Sequence, residues 1–292
     1  MKKIKINIPL ITPLDNNLNI DYLSLEKLIF NINNLEYINS IIIFDKYSEY
    51  YTFTINEYID IINCIFNNKK NLNIVIKINN IYNYSDLINI LNKKIYKDIY
   101  YIILDYPILN SKYKYDIIKN YNKIFKYFKY LYFYFSIKNK KYIDEDIFIK
   151  IKYKNKNFIG IINETNYIFK KYKLINNIDI IINNDLFLFN NLNINGIISP
   201  LFLFFFDYIY NYIILNINNN KLFLNNENYY RLISFINILY KKIYTISGIK
   251  YILNKLNICN IYVKYPIYNI ENIIEYKKLI SIFKKIKYEN KL

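Results

Sequence analysis

Residues 73–78 read NIVIKI, an apolar run interrupted only by Lys77. A run of this length, rich in β-branched residues, reads as a strand covered on both faces. The same signature returns on either side of it. KINIPLI (5–11) and SIIIF (40–44) precede it; YIILD (101–105), YLYFYF (130–135), NFIGII (157–162), IDIII (178–182) and NGIIS (195–199) follow. Helical patterns fill the gaps. Leu25, Leu28, Ile29 and Ile32 recur at the spacing of one helix face. Thr54 and Glu57 form a capping box ahead of Ile55, Ile59, Ile62 and Phe66. Ser85 is placed to cap a helix carrying Leu87, Ile88 and Leu91. Alternation of strand and helix is the βαβ rhythm of a parallel sheet, and eight repeats favour a closed ring over an open, doubly wound sheet. The expected fold is α/β, a TIM (β/α)8 barrel over residues 1–222. From about Asn226 the pattern is helical only. Leu232, Phe235, Ile236 and Leu239 make one stripe, and Ile249, Ile252, Leu253 and Leu256 another. Residues 223–292 are therefore expected to form a C-terminal helical extension packed on the barrel.

Composition narrows the function. The chain of 292 residues has 3 Gly and no His, and it carries a formal charge of +17. Ile, Asn, Lys, Tyr and Phe dominate, and their codons are rich in A and T. The expected source is a genome under extreme AT pressure, such as that of a long-term intracellular symbiont. The charge excess is scattered lysine. Arg231 is the single arginine, so forked contacts to phosphate and guanine are nearly missing and no nucleic-acid partner is expected. Without histidine there is no His-based zinc site, Ser-His-Asp triad or Cys-His dyad. Cys64 and Cys259 lack metal-ligand spacing. No His- or Cys-based metal site is expected, and a reducing cytoplasm fits. Pro9 and Pro13 break the N-terminal apolar run, which has no small-residue cleavage site. The apolar stretch Ile197–Phe206 ends at Asp207 and is too short to cross a bilayer. No membrane association is expected. With so few glycines, asparagine is expected at many left-handed turn positions, at some strain.

Motifs in a shared order point further. Ile8-Pro9-Leu10-Ile11-Thr12-Pro13-Leu14-Asp15 opens the chain. Ser48-Glu49, Thr52-Phe53-Thr54 and Glu57 follow the second strand. Then come Leu131-Tyr132, Phe158-Ile159-Gly160-Ile161, Gly196-Ile197-Ile198-Ser199, Ile249-Lys250-Tyr251 with Leu256, and Tyr265-Pro266-Ile267. Together, over nearly the full chain, this series resembles the dihydrodipicolinate synthase / N-acetylneuraminate lyase family.

The resemblance implies a class I lyase in which a lysine on strand six forms an imine with pyruvate, so that the methyl carbon becomes a nucleophile. The acceptor it implies is L-aspartate 4-semialdehyde, in diaminopimelate and lysine synthesis; N-acetylneuraminate lyase chemistry is the alternative. It also implies a homo-oligomer, a tetramer, and no metal or organic cofactor, since the imine uses a side chain. Carried over residue by residue, the strand-five tyrosine of the proton relay falls on Tyr132. The strand-eight position whose backbone lies against pyruvate falls on Ile198. The two threonines after strand two fall on Lys46 and Tyr47, and the loop glycines beside them on Asp45 and Ser48. The second relay tyrosine falls on Leu109. The carboxylate-binding arginine falls on Ile137, with Lys138 beside it. The imine lysine falls on Ile162, which has no amine. Three readings follow: a decayed synthase, a relocated amine at Lys46 or Lys77 near the C-terminal ends of strands two and three, or a non-catalytic barrel. For Lys46 and Lys77 the plainer expectation is a surface or snorkelling lysine.

Overall fold

The computed structural model describes residues 4–78, 99–105, 114–128, 131–138, 145–165, 178–183, 185, 194–217, 227–241, 245–267 and 273–289. Eight parallel strands close into a barrel in chain order. They are β1 (Lys5–Pro9), β2 (Ile38–Ile43), β3 (Asn73–Ile78), β4 (Ile99–Asp105), β5 (Phe133–Ile137), β6 (Phe158–Asn163), β7 (Asp179–Ile182) and β8 (Gly196–Ile198). The first helices are α1 (Tyr22–Asn33), α2 (Ile55–Asn68), α3 (Lys114–Tyr127), α4 (Glu145–Lys154) and α5 (Phe202–Ile217). All eight expected strands are present. The apolar stretch at 197–206 divides between β8 and the start of α5, mostly buried. No helix among the described residues is long and apolar enough to cross a membrane.

Two helices form where the sequence places them, although α2 buries Ile61, Ile62 and Ile65 and leaves Ile55 of the expected stripe exposed. Leu25, Leu28, Ile29 and Ile32 are the buried stripe of α1. Thr54 caps α2 by accepting from the Glu57 backbone, while Glu57 accepts from the Thr54 backbone. The helix expected after Ser85 lies outside the described residues, as does Leu109. Residues 227–289 add α6 (Glu227–Lys241), α7 (Thr245–Lys255) and α8 (Ile273–Glu289), which pack on one another. Phe205 of α5 meets Phe235 of α6 edge-on at 5.0 Å, joining this extension to the barrel's helical shell. The expected boundary at 222 falls outside the described residues.

Alternation along each strand sorts side chains into two cores. Ile6, Ile8, Ile41, Ile74, Ile102, Phe133, Phe135 and Ile161 face the helices. Ile42, Val75, Tyr101, Ile103, Tyr134, Ile162, Ile181 and Ile198 fill the barrel itself. Two glycines serve this interior. A Cβ at Gly160 would stand 2.5 Å from the Tyr134 ring, and one at Gly196 would stand 2.8 Å from the Lys5 carbonyl. The described turns are therefore left to other residues, among which asparagine is not the main one at left-handed positions. Among the described residues the left-handed positions are Leu18, Tyr37, Phe44, Glu49 and Asn257. Phe44 and Glu49 are buried, so tertiary contacts, and not intrinsic tolerance, hold them there.

Candidate active site

Active sites of this architecture lie where the strands end, at the C-terminal mouth. Ile162 and Ile198 sit in the same interior layer, both fully buried and apolar. The position expected to carry the imine amine is thus a sealed hydrocarbon surface. Directly above this layer the inward alternation continues into polar residues. Val75 is followed by Lys77, Ile103 by Asp105, Ile162 by Glu164 and Ile181 by Asn183.

These residues meet. The Lys77 ammonium donates to Asp45 and to Glu164, each at 2.6 Å, and lies 3.9 Å from Asp105. Lys77 is 2 % exposed, so it is neither a surface nor a snorkelling lysine. Ser136 of β5 donates to Glu164, and Asn183 donates to Asp45 at 3.1 Å. Burial alone would favour the neutral amine of Lys77, but Asp45, Glu164 and Asp105 together push its pKa well above the ordinary lysine value. Burial likewise works to raise Asp45 and Glu164, and the Lys77 charge reverses it, holding both below the usual carboxylate range. Burial leaves Asp105 raised despite Lys77 and Lys138.

Two more cations rim the mouth. Lys46 donates to the Asn183 carbonyl at 3.2 Å and stands 3.6 Å from Glu164. Lys138 donates to Asp105 at 2.6 Å. Ile137, aligned with the carboxylate-binding arginine, instead packs into the outer core. A second network begins at Tyr47, whose hydroxyl lies 3.0 Å from that of Tyr240 on α6. Tyr240 donates to Asp185, just beyond β7. Burial raises the Asp185 carboxyl to about 6, against the lowering effect of bonds from Ser199 and Tyr240 and of the Lys46 charge.

Backbone and charge position the loop that carries Asp45, Lys46 and Tyr47. Phe44 and Glu49, both at positive φ, bracket it. Glu49 is fully buried and accepts from the Lys250 ammonium of α7 and from the Lys264 backbone at 2.7 Å. Lys250 donates also to the Tyr262 carbonyl at 2.7 Å.

Tyr132 is not in this company. Strand β5 begins at Phe133, three residues later than the aromatic run suggested, so Tyr132 stands at the N-terminal rim and is 52 % exposed. The inward residue Tyr134 points to the same end, donating to Asp179 at 2.7 Å beside Lys5. Tyr132 is exposed at this rim, whereas Ile162 and Ile198 are buried in the barrel interior. Asp45, Asp105, Ser136, Glu164, Asn183, Asp185 and Tyr240 escaped the sequence reading. Four of them, Asp105, Ser136, Glu164 and Asn183, extend the inward period-two register at the C-terminal ends of their strands, which was a readable signal.

The Asp185 environment predicts a pH dependence. A carboxyl raised from 3.8 to about 6 favours the folded state when protonated. Its stability contribution is complete below the unfolded value, falls as pH rises through about 6, and is flat above. Replacing Asp185 with Asn should therefore raise stability at pH 7 by up to about 3 kcal/mol and leave it unchanged near pH 3. Denaturant titrations at the two pH values check this; equal effects at both would contradict it.

No protein-family model and no curated protein sequence matches the chain. Solved structures do. N-acetylneuraminate lyase from Fusobacterium nucleatum superposes with a TM-score of 0.81 at 16% identity, over 98% of this chain and 99% of that one. Dihydrodipicolinate synthase from Aquifex aeolicus gives 0.81 at 15% identity, over 97% of each chain. The 4-hydroxy-tetrahydrodipicolinate synthase from Methylacidiphilum fumariolicum gives 0.77 at 15% identity, over 97% of this chain and 96% of that one. From its first strand to its last helices, the chain therefore has the fold of the dihydrodipicolinate synthase and N-acetylneuraminate lyase structures.

Proposed function

We propose that this chain is a pyruvate-condensing lyase of the class I aldolase type, with Lys77 supplying the amine that position 162 lacks. One observation carries the reading: an inward lysine at the mouth with its nitrogen 2.6 Å from each of two carboxylates, Asp45 and Glu164. Imine formation needs an amine and a group that moves protons to and from the departing hydroxyl. Here both are in contact. At rest the amine is held as ammonium, so a carboxylate must take its proton before attack, and imine formation should accelerate as pH rises.

The acceptor we propose is L-aspartate 4-semialdehyde, in diaminopimelate and lysine synthesis. The shared order of motifs supports it, and so does the cation Lys138 at the end of β5, a partner for the aldehyde's carboxylate. We further place the protein in the cytoplasm of an AT-rich symbiont as a homotetramer, which light scattering tests.

A second reading has its own support. The same carboxylates that could assist Lys77 also hold its proton, and such a cluster is sufficient as a plain structural ion-pair plug in a barrel without imine chemistry. Borohydride trapping with pyruvate at pH 7 and pH 9.5, followed by peptide mass mapping, separates the two. An adduct on Lys77, larger at the higher pH, supports the lyase. No adduct on any lysine at either pH overturns it in favour of the non-catalytic barrel.

A further inference from the structure

We propose that Tyr47, Tyr240 and Asp185 form a proton wire that the C-terminal extension completes at the barrel mouth, with Asp185 as its terminal acceptor. This rests on the lyase reading.

The wire has a direction. Each phenol owns one proton. Tyr240 gives its own to Asp185, so the proton in the 3.0 Å Tyr47–Tyr240 contact belongs to Tyr47. The oxygen of Tyr47 is then left with lone pairs, and it is the accepting end. The groups around Asp185 suit it to the other end. It faces Tyr240 from α6, Ser199 from the residue after β8, and Lys46 and Tyr47 from the loop after β2. None of the described lysines pairs with it, whereas Lys77 clamps Asp45 and Glu164. Tyr240 reaches its Oδ2, which receives the proton, while Oδ1 is buried with no hydrogen-bond partner among the described residues, so nothing there holds the group as a carboxylate. Titration near neutrality agrees with that role.

The step balances. A methyl proton of the pyruvate iminium passes to Tyr47, the Tyr47 proton to Tyr240, and the Tyr240 proton to Asp185, which becomes a carboxylic acid. The C–H electron pair forms the enamine double bond, and the iminium nitrogen becomes neutral. Asp185 acts only through the two phenols and touches no substrate.

The test separates imine formation from proton removal. Wild type, Asp185→Asn and Tyr240→Phe are given pyruvate in D2O. Adduct is measured by borohydride trapping, and exchange of the methyl protons by NMR. Adduct yields should be equal in all three. Exchange should fall roughly 100-fold in both variants, and the wild-type exchange rate should show an inflection near pH 6. Equal exchange with equal adduct overturns the wire while leaving the lyase reading intact. Absence of adduct in wild type overturns the lyase reading, and the wire with it. Tyr240→Phe keeps the ring in place and removes only the hydroxyl, so it tests the wire independently of any change at Asp185.

Discussion

Replacing Lys77 with Met should cost about 3–5 kcal/mol of stability at pH 7. The ammonium is the only buried cation that the described structure places within 4 Å of all three of Asp45, Asp105 and Glu164. Removing it takes from Asp45 and Glu164 their nearest cation and leaves only the rim lysines, Lys46 at 3.6 Å from Glu164 and Lys138 on Asp105, as partial compensation among the described residues. Two consequences follow from the signs of the shifts. In the wild type, Asp45 and Glu164 are held below the ordinary range, so their stabilising contribution is present above the unfolded carboxylate values and is lost as pH falls through their folded ones. The raised Lys77 contributes fully below the ordinary lysine value, and that contribution fades only at strongly alkaline pH. In the variant, burial is opposed only by the charges of Lys46 and Lys138, so the carboxyls shift towards protonation. The penalty should therefore shrink on acidification towards pH 4. Denaturant unfolding at pH 7 and pH 4 measures it. Adding Asp45→Asn and Glu164→Gln to the variant should recover most of the loss, because a neutral cluster needs no ammonium. A loss below about 1 kcal/mol at pH 7 would show that the cluster behaves as a solvated surface pair.

The fold was legible because every strand of a closed, helix-covered barrel is buried on both faces, and such strands read as continuous apolar runs even under biased composition. NIVIKI matched its strand to the residue. YLYFYF did not. In a run where every residue is aromatic or apolar, nothing local marks the boundary, and pairing of Phe133 with Ile102 and Phe158 decides it. That shift moved Tyr132 out of the strand and away from the mouth. The site was less legible for a related reason. Position-by-position transfer looked for particular residue types and found Ile162 on β6, whereas the amine stands three strands away on β3 and reaches Glu164 across the barrel. The continuing period-two register pointed to Lys77, Asp105, Glu164 and Asn183. No local pattern could link Tyr240 to Asp185 or Lys250 to Glu49, whose members lie 55 and 201 residues apart.

The second large effect is expected at that last pair. Lys250→Met should cost about 3–5 kcal/mol, more than Glu49→Gln at the same pH. Both side chains are fully buried, but they do not respond alike to losing their partner. Burial already lowers the Lys250 pKa despite the charge of Glu49, so in Glu49→Gln the amine can shed its proton and keep its bond to the Tyr262 carbonyl. In Lys250→Met, Glu49 keeps, among the described residues, only the Lys264 backbone donor for an otherwise uncompensated buried carboxylate. A depressed lysine destabilises the folded state at low pH and does so less as pH rises towards the ordinary lysine value. The Glu49→Gln penalty should therefore diminish between pH 7 and pH 10, a trend that denaturant titration can follow. The consequence reaches the mouth, since Glu49 closes the loop that carries Asp45, Lys46 and Tyr47, and its own backbone is left-handed. Without the latch that conformation loses the contact that holds it, and amide exchange across residues 45–49 should quicken along with the loss of stability. Unchanged exchange in a destabilised Lys250→Met protein would mean that the pair supports the packing of α7 alone and that the loop is held by its own hydrogen bonds.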